Sequence, residues 1–214
     1  MKTTNNTTEL VFILDKSGSM SGMEADTIGG FNAMIEKQKA QEGTAYVSTF
    51  LFATQVETLH DRLSLENIQP LTREDYQVGG YTALLDAIGC AIEHITNIHK
   101  YARKEDVPQH TMFVIATDGM ENASTKYTKK QINHLISKQE KLGWEFVFVA
   151  ANIDAVETAE SLGIRKERAV NYCVEEDTQE LYCHLSASVS EFRKKGALAE
   201  DWNENFERKL RKKN

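Results

Sequence analysis

The sequence predicts a three-layer α/β fold in which helices cover both faces of a mostly parallel, doubly wound sheet. Three apolar runs of strand length, residues 10–14, 111–116 and 146–151, contain no alternating polar positions. Strands of this kind are buried on both faces, which is typical of parallel sheets. Segments with apolar residues at helical spacing separate the runs, and alternation of strands with helices favours crossover connections within one α/β domain.

The first half of the chain predicts a strand, a helix, a hairpin and a second helix, in that order. After the opening strand, Ile28, Phe31 and Ile35 recur at helical spacing before Gly43. Two β-rich segments, residues 44–53 and 55–60, then lie close enough to form a hairpin. A polar stretch ending in a glycine pair precedes a longer helix. One apolar face of that helix carries Leu84, Ile88, Ala91, Ile92, Ile95 and Ile98.

The second half predicts two buried strands, a short strand and three helices. The strand at 111–116 leads into Thr117, Asp118 and Gly119. A short helix after the next strand has Asp154 as its expected N-cap and ends at Gly163. A short strand over residues 169–174 precedes the last helix. The two longer helices of this half carry apolar stripes, one formed by Ile132, Leu135, Ile136, Gln139 and Leu142 and stopped by Gly143, the other by Leu181, Leu185, Val189 and Phe192.

Composition excludes several classes of protein. The chain of 214 residues fits one domain with a small addition, and its formal net charge of -7 argues against binding to nucleic-acid phosphates. Its three cysteines, Cys90, Cys173 and Cys183, form no C-x-x-C pair, which favours a reducing compartment. No apolar run approaches the length of about 20 residues that a membrane span needs. We therefore expect a cytoplasmic protein.

Three oxygen-bearing side chains crowd the end of the first strand. Asp15, Ser17 and Ser19 stand at alternate positions, so their side chains can converge on one side, and Gly18 lets the backbone curl. Mg²⁺ takes oxygen ligands in a near-ideal octahedron and usually keeps several waters. One carboxylate and two hydroxyls suit that cation. A turn capped by local hydrogen bonds is the alternative interpretation.

Two other segments add oxygen ligands at the same predicted edge of the sheet. Asp118 follows a buried strand just as Asp15 does, and ligands bind beyond the carboxyl ends of such strands. Thr82 follows Gly79 and Gly80, which permit close approach of the backbone. Its hydroxyl either joins the cation site or caps the helix that begins after it.

Together these residues resemble the metal-ion-dependent adhesion site of von Willebrand factor type A (vWA) domains. The resemblance rests on Asp15, Ser17 and Ser19 in DKSGS, Thr82 in GGYTALLDAI and Asp118 in ATDG. It implies a Rossmann-like sheet with one antiparallel edge strand, for which the predicted hairpin provides a place. It also implies that Ser17 and Ser19 bind the metal directly, that Thr82 joins them when a partner is bound, and that Asp15 and Asp118 act largely through waters.

The resemblance covers about residues 8–195 and implies a protein-recognition module. Its cofactor would be Mg²⁺, or else Mn²⁺ or Ca²⁺, and its partner a protein that supplies an Asp or Glu to the metal. Neither nucleic acid nor a membrane is expected as a partner, and the oligomeric state stays open. Small bacterial and phage-borne members are the most similar, and some are associated with tellurite resistance, stress responses or AAA-type ATPases. Candidate rim residues for partner contact are Tyr81, Glu121, Asn122, Asn152 and Asp154.

An enzyme and a metal-free scaffold are the competing interpretations. A haloacid-dehalogenase type of phosphohydrolase needs a second aspartate two residues after its nucleophile, where this chain has Ser17. The sequence contains no phosphate-binding P-loop, no H-E-x-x-H helix and no G-x-S-x-G elbow. We therefore expect no enzymatic activity. The complete set of five candidate ligands argues against the scaffold.

The stretch 196–214 predicts an amphipathic helix with a basic tip. Leu198, Trp202, Phe206 and Leu210 recur every four residues, and the last seven residues include five lysines and arginines. Packing on the domain is the favoured interpretation, since cations suit a helix C-terminus. The alternative is a docking element for another protein or, with less support, for anionic lipid or nucleic acid.

Overall fold

A six-stranded sheet forms the centre of the molecule. A computed structural model describes residues 7–151, 153–172 and 174–204, with the backbone alone for 174–177. The strands are β1 (Thr7–Asp15), β2 (Thr44–Phe52), β3 (Val56–Ser64), β4 (His110–Thr117), β5 (Glu145–Ala150) and β6 (Ala169–Asn171). They lie in the order β3-β2-β1-β4-β5-β6. Only β3 is antiparallel to its neighbour among these described strands, which confirms the predicted edge hairpin.

Helices cover both faces of the sheet, as predicted from the apolar strands. The helices are α1 (Glu24–Lys39), α2 (Leu84–Tyr101), α3 (Lys129–Glu140), α4 (Ala155–Leu162) and α5 (Val174–Lys195). Leu10, Phe12 and Leu14 of β1 pack in the same core as α1 and α5. The alternate residues Val11 and Ile13 pack with α2, α3 and α4. Because side chains alternate along a strand, β1 is apolar at every position from 10 to 14.

The short helix α4 has the predicted boundaries. Asp154 is its N-cap, and the side-chain Oδ1 accepts a hydrogen bond of 2.9 Å from the backbone N–H of Glu157. Gly163 follows its last residue with φ +90°, a conformation that glycine adopts without a steric cost. The next strand is shorter than predicted, since β6 ends at Asn171.

Leu142 does not belong to the apolar stripe of α3, so that prediction is wrong. The helix ends at Glu140, and the side chain of Leu142 is 69% exposed. The carbonyl of Gln139 accepts hydrogen bonds from both Leu142 and Trp144, which turns the chain out of the helix. The Trp144 ring stacks on Phe113 with the ring centroids 5.3 Å apart. It is therefore Trp144 that packs against the sheet.

The segment after α5 packs on the domain, but residues 196–203 are irregular with a turn at 200–203, and the predicted helix is not seen before Glu204. Leu198 and Trp202 are both buried. The buried guanidinium of Arg168 donates to the carbonyls of Leu198 and Ala199, each over 2.8 Å, and the Trp202 indole N–H donates to the Glu167 carbonyl over 2.5 Å. These contacts favour packing over docking for this part. Phe206, Leu210 and the basic cluster lie outside the described residues.

Cysteine pairing and membrane-spanning segments are two further expectations from the sequence. Cys90 and Cys183 are free thiols, while Cys173 lies outside the described residues. In the part of the chain that the structure describes, no helix combines the length and the apolar character needed to cross a membrane.

Replacing Trp202 by alanine should destabilise the domain. The indole is buried against the body and its N–H has a carbonyl partner, so the variant loses apolar burial and leaves a cavity. Core Trp→Ala changes cost about 3–5 kcal/mol. Thermal unfolding followed by circular dichroism measures the effect. Tyr101→Ala is the control, because that ring is 77% exposed; equal melting temperatures for the two variants would contradict packing.

Candidate metal centre

Adjacent parallel strands bring the two aspartates to one edge of the sheet. Asp15 is the last residue of β1, and Asp118 directly follows β4. The two strands are paired in register, with Leu14 opposite Ala116. Both carboxylates are buried. The predicted convergence of these two side chains at the carboxyl ends of the strands is therefore observed.

The three hydroxyls lie together beside Asp118. Ser17 Oγ is 3.0 Å from Ser19 Oγ and 3.1 Å from Thr82 Oγ1. Ser19 Oγ donates to Asp118 Oδ1 over 2.6 Å. In an octahedron with metal–oxygen bonds of about 2.0–2.1 Å, neighbouring ligands are about 2.9 Å apart. The spacing of the hydroxyl oxygens is close to that separation.

Asp15 orients the loop that carries the serines. Its Oδ1 accepts a hydrogen bond of 2.7 Å from the backbone N–H of Ser17, and its Oδ2 accepts one of 2.5 Å from Thr117 Oγ1. The buried Tyr76 hydroxyl donates to the Asp15 carbonyl. Burial raises the pKa of Asp15, although the hydrogen bonds from Thr117 and Ser17 act in the opposite direction. Both oxygens of this carboxylate thus have protein donors.

Asp118 keeps one acceptor unused. Its Oδ2 is buried and has no hydrogen-bond partner among the described residues. Burial raises the pKa of Asp118, and the hydrogen bond from Ser19 opposes that rise. A buried acceptor without a partner is costly unless a water, an ion or a ligand satisfies it. This oxygen, next to the three hydroxyls, fits a hard cation and its bound waters.

Glycine at position 119 keeps space open between the hydroxyls. A Cβ added to Gly119 would lie 2.9 Å from both Ser19 Oγ and Thr82 Oγ1. Atoms that are not bonded to each other do not approach so closely without displacing one of them. Any side chain at this position would therefore intrude among the candidate ligands.

The loop around Thr82 is held from two directions. The Thr82 N–H donates to Asn122 Oδ1 over 2.9 Å, and the Asn122 N–H donates to the Thr82 carbonyl over 3.0 Å. On the other side, the Gly80 carbonyl accepts from the Gly18 N–H over 3.0 Å. Gly80 has φ +79°, which favours glycine. Helix α2 begins at Leu84 after Ala83, with no side-chain cap, so the alternative role of Thr82 as a helix cap is wrong.

The half-buried Glu121 carboxylate accepts hydrogen bonds from its own loop and from the start of α2. One carboxylate oxygen accepts from the Leu85 N–H over 2.9 Å and the Ser124 hydroxyl over 2.7 Å. The other accepts from the backbone N–H groups of Ala123 and Ser124. Glu121 therefore satisfies the backbone N–H of Leu85 at the start of α2 and orders its own loop, and its expected rim contact stays a prediction.

Asp86 has a similar structural role that sequence reasoning missed. Its two oxygens accept from the backbone N–H groups of Thr125, Lys126 and Tyr127, at 2.9–3.0 Å. Its position one turn after Thr82 within GGYTALLDAI was the available signal. Asp86 and Glu121 together bind the loop after β4 to the start of α2, which carries Thr82 on its N-terminal side.

The other rim candidates differ in accessibility. Tyr81 is 67% exposed beside Thr82, and Asp154 is exposed as the cap of α4. Asn122 is exposed, but its side chain binds the Thr82 backbone. Asn152 lies outside the described residues. The structure adds Met120, which is 73% exposed between Gly119 and Glu121 and which no sequence pattern singled out.

The set of donors suits a hard cation. Among the described residues, no three His, Cys, Asp or Glu side chains cluster as metal ligands. The site offers hydroxyls and two carboxylates, whereas Zn²⁺ is bound by imidazole and thiolate. Oxygen donors alone are the preference of Mg²⁺ and Ca²⁺. The residues present therefore fit the cation that the resemblance implies.

Comparison with solved structures identifies the same architecture. Two crystal structures of proximal thread matrix protein 1 from the mussel byssus are similar to this chain. In one the TM-score is 0.57 at 12% identity, over 86% of this chain and 46% of that protein. In the other it is 0.59 at 13% identity, over 84% and 45%. This chain spans less than half the length of those proteins, and at such low identity the likeness concerns the fold alone.

Comparison with protein families is more specific. The sequence matches the family described as "VWA domain containing CoxE-like protein" over residues 2–161, most of the chain. A search of curated proteins finds no match. Proteins with vWA domains commonly bind a divalent metal, and the family supports a role in protein interaction in general. The chain therefore belongs to the family of VWA domain containing CoxE-like proteins, and its Rossmann-like fold is that of a von Willebrand factor type A domain.

Proposed function

We propose that this protein is a Mg²⁺-dependent recognition module that captures an Asp or Glu side chain of a partner protein. The observation that carries the proposal is the buried Asp118 Oδ2, which has no hydrogen-bond partner among the described residues, beside three hydroxyls at near-octahedral spacing. The same residues form the set that resembles a metal-ion-dependent adhesion site. Mn²⁺ and Ca²⁺ are the alternative ions.

The residues divide into those that hold the cation and those that hold the loops. Ser17, Ser19 and Thr82 would be its neutral ligands, and Asp118 would act largely through water. Asp15 has both oxygens occupied by protein donors, so it supports the serine loop and contributes its charge from farther away. When bound, a cation with neutral inner ligands supplies a poorly neutralised positive charge that a carboxylate from outside can complete.

We propose that the protein is not an enzyme. No second aspartate follows Asp15 at the distance that phosphoryl transfer of the haloacid-dehalogenase type requires, since Ser17 occupies that position. The two aspartates are engaged in hydrogen bonds to Ser17, Thr117 and Ser19. A metal-dependent phosphohydrolase and a metal-free scaffold are the competing functions, and Mg²⁺-stimulated phosphoester hydrolysis would favour the first.

We place the protein in the cytoplasm, as an adaptor in a stress-response system or beside an AAA-type ATPase. Support for the location comes from the free thiols of Cys90 and Cys183, which suit a reducing compartment. Support for the context comes from the resemblance of the GGYTALLDAI segment to small bacterial members.

Gly119→Ala should weaken metal binding without removing any ligand. The new methyl group would lie 2.9 Å from Ser19 Oγ and Thr82 Oγ1, so one of them must move. We expect Mg²⁺ affinity, measured by calorimetry, to fall by at least about tenfold. Gly79→Ala is a matched control in the neighbouring loop, because its Cβ would meet no atom within 4 Å. Equal affinities of the two variants would contradict the proposed site.

Asp118→Asn should stabilise the metal-free protein. Burial raises the pKa of the Asp118 carboxyl above its ordinary value of 3.8, so the charged form is costly in the fold. The contribution of Asp118 to the stability of the native chain should therefore decline as the pH rises from 3.8 through the raised pKa, and the neutral amide avoids that loss. Thermal melting in EDTA should show the variant more stable at neutral pH, with the difference shrinking toward pH 4.

The same two proteins should respond oppositely to Mg²⁺. Added Mg²⁺ should raise the melting temperature of the native chain, because a ligand that binds the folded state stabilises it. The Asp118→Asn variant should respond weakly or not at all. A native chain whose melting temperature ignores Mg²⁺ would count against a metal site.

Partner capture should require both the metal and Asp15. Purified protein on a resin, incubated with a lysate of its native host, should retain a partner in Mg²⁺ and release it in EDTA. Asp15→Ala should retain none, because the serine loop loses the acceptor that orders Ser17. Retention that survives EDTA or the substitution would exclude capture through the metal.

A further inference from the structure

Two exposed apolar side chains are chain neighbours of residues in the candidate metal centre. Tyr81 precedes Thr82 and is 67% exposed, and Met120 follows Gly119 and is 73% exposed. Thr82 and Gly119 are in close contact, since a Cβ on Gly119 would lie 2.9 Å from Thr82 Oγ1. Tyr81 and Met120 are therefore exposed residues adjacent in the chain to two positions that meet at the hydroxyl cluster.

The remaining large exposed apolar residues lie far from this edge. Among the described residues they are Leu63, Tyr101 and Leu142. Leu63 pairs with Val47 near the start of β2, Tyr101 is the last residue of α2, and Leu142 precedes β5. All three positions belong to the opposite end of the sheet. Exposed apolar side chains scattered singly are ordinary, but a pair beside one site indicates an interaction surface.

The backbone at both positions is fixed, so the exposure is not a result of loose loops. The Tyr81 N–H donates to Thr54 Oγ1 over 2.9 Å, and the next residue is held by Asn122. Met120 lies between Asp118, which accepts from Ser19, and Glu121, whose carboxylate accepts four hydrogen bonds. The loops that carry the ring and the thioether are thus held in place, so little loop entropy is lost when a partner binds.

Basic side chains are absent from the loops around the cluster. Residues 17–22, 79–83 and 119–124 contain neither lysine nor arginine. The nearest lysine in sequence, Lys16, is ion-paired with Glu57 over 2.7 Å. In these three loops, a partner with a run of acidic residues would meet no lysine or arginine. Its additional charges would lose water without gaining an ion pair.

We propose that the partner segment presents a single Asp or Glu flanked by large apolar side chains, which pack on Tyr81 and Met120. This inference rests on the proposed capture of a carboxylate through the metal. Tyrosine and methionine are enriched at protein interfaces, and methionine adapts to the shape of the partner. Covering them removes water from around the carboxylate, and electrostatic attraction is stronger in the drier surroundings.

Selection from short random peptides displayed on phage tests the proposal. The protein is immobilised in Mg²⁺, and bound phage are eluted with EDTA. We expect the eluted peptides to share one Asp or Glu with an aromatic or aliphatic residue within two positions. Peptides enriched in acidic runs, or an acidic residue with polar neighbours, would overturn the proposal.

Synthetic peptides then measure the preference. An Asp between Leu and Phe should bind at least about tenfold more tightly than an Asp between Gly and Ser or within a run of Asp. Tyr81→Ser and Met120→Ser should each reduce that preference while leaving Mg²⁺ affinity unchanged. Tyr101→Ser and Leu142→Ser, equally exposed at the opposite end, should change neither quantity.

The outcomes separate this inference from the proposed function. If Mg²⁺ fails to bind in calorimetry, or if peptide binding ignores EDTA, the proposed function itself fails. If Mg²⁺ binds and all acidic peptides bind equally in a way that EDTA abolishes, the proposed function stands and the apolar preference is refuted. If Mg²⁺ binds but no acidic peptide does, carboxylate capture and the apolar preference both fail. Mg²⁺-dependent self-association that Met120→Ser abolishes would assign the surface to a second copy of the chain and would also overturn the inference.

Discussion

Burial of two carboxylates at the ends of neighbouring strands is the constraint on which this molecule depends. Parallel pairing of β1 with β4 brings Asp15 and Asp118 to one edge, and desolvation raises the pKa of each. The Ser17 N–H and the hydroxyls of Thr117 and Ser19 oppose that cost. One oxygen, Asp118 Oδ2, stays unsatisfied by the described residues. The fold thus has an unfavourable free-energy contribution at this edge, which a bound cation would relieve.

Other acidic side chains near the centre stabilise loops and do not enter it. Glu121 and Asp86 bind backbone N–H groups at the start of α2 and in the loop after β4. Their charges are thereby satisfied by the protein itself. The centre keeps neutral hydroxyls on its open side, and the rim offers Tyr81 and Met120. This division is compatible with the proposed capture of an acidic residue by a chain whose net charge is -7.

Local sequence patterns predicted most of the fold and the five candidate ligands. Unbroken apolar strands, the Asp154 cap and Gly163 all have local physical causes, and each is observed. The errors occurred where a side chain competes for a partner distant in sequence. Leu142 has the apolar spacing of the α3 stripe, but it is Trp144 that packs inward, by stacking on Phe113. Leu198 and Trp202 have helical spacing, but the guanidinium of Arg168 binds the carbonyls of Leu198 and Ala199, and this stretch is irregular.

The sequence by itself determined the α/β class, the order of elements and the chemical type of the site, because apolar periodicity and strand-end oxygen residues are local properties. Only the tertiary structure decided which carboxylate oxygens accept hydrogen bonds from the protein and which side chains around the site are exposed. Glu121 and Asp15 have donors supplied from other segments or loops, whereas Asp118 Oδ2 has none among the described residues. The exposure of Met120 likewise depends on how three separate loops pack. Burial and hydrogen-bond partners are properties of the assembled edge, so no single segment reveals them.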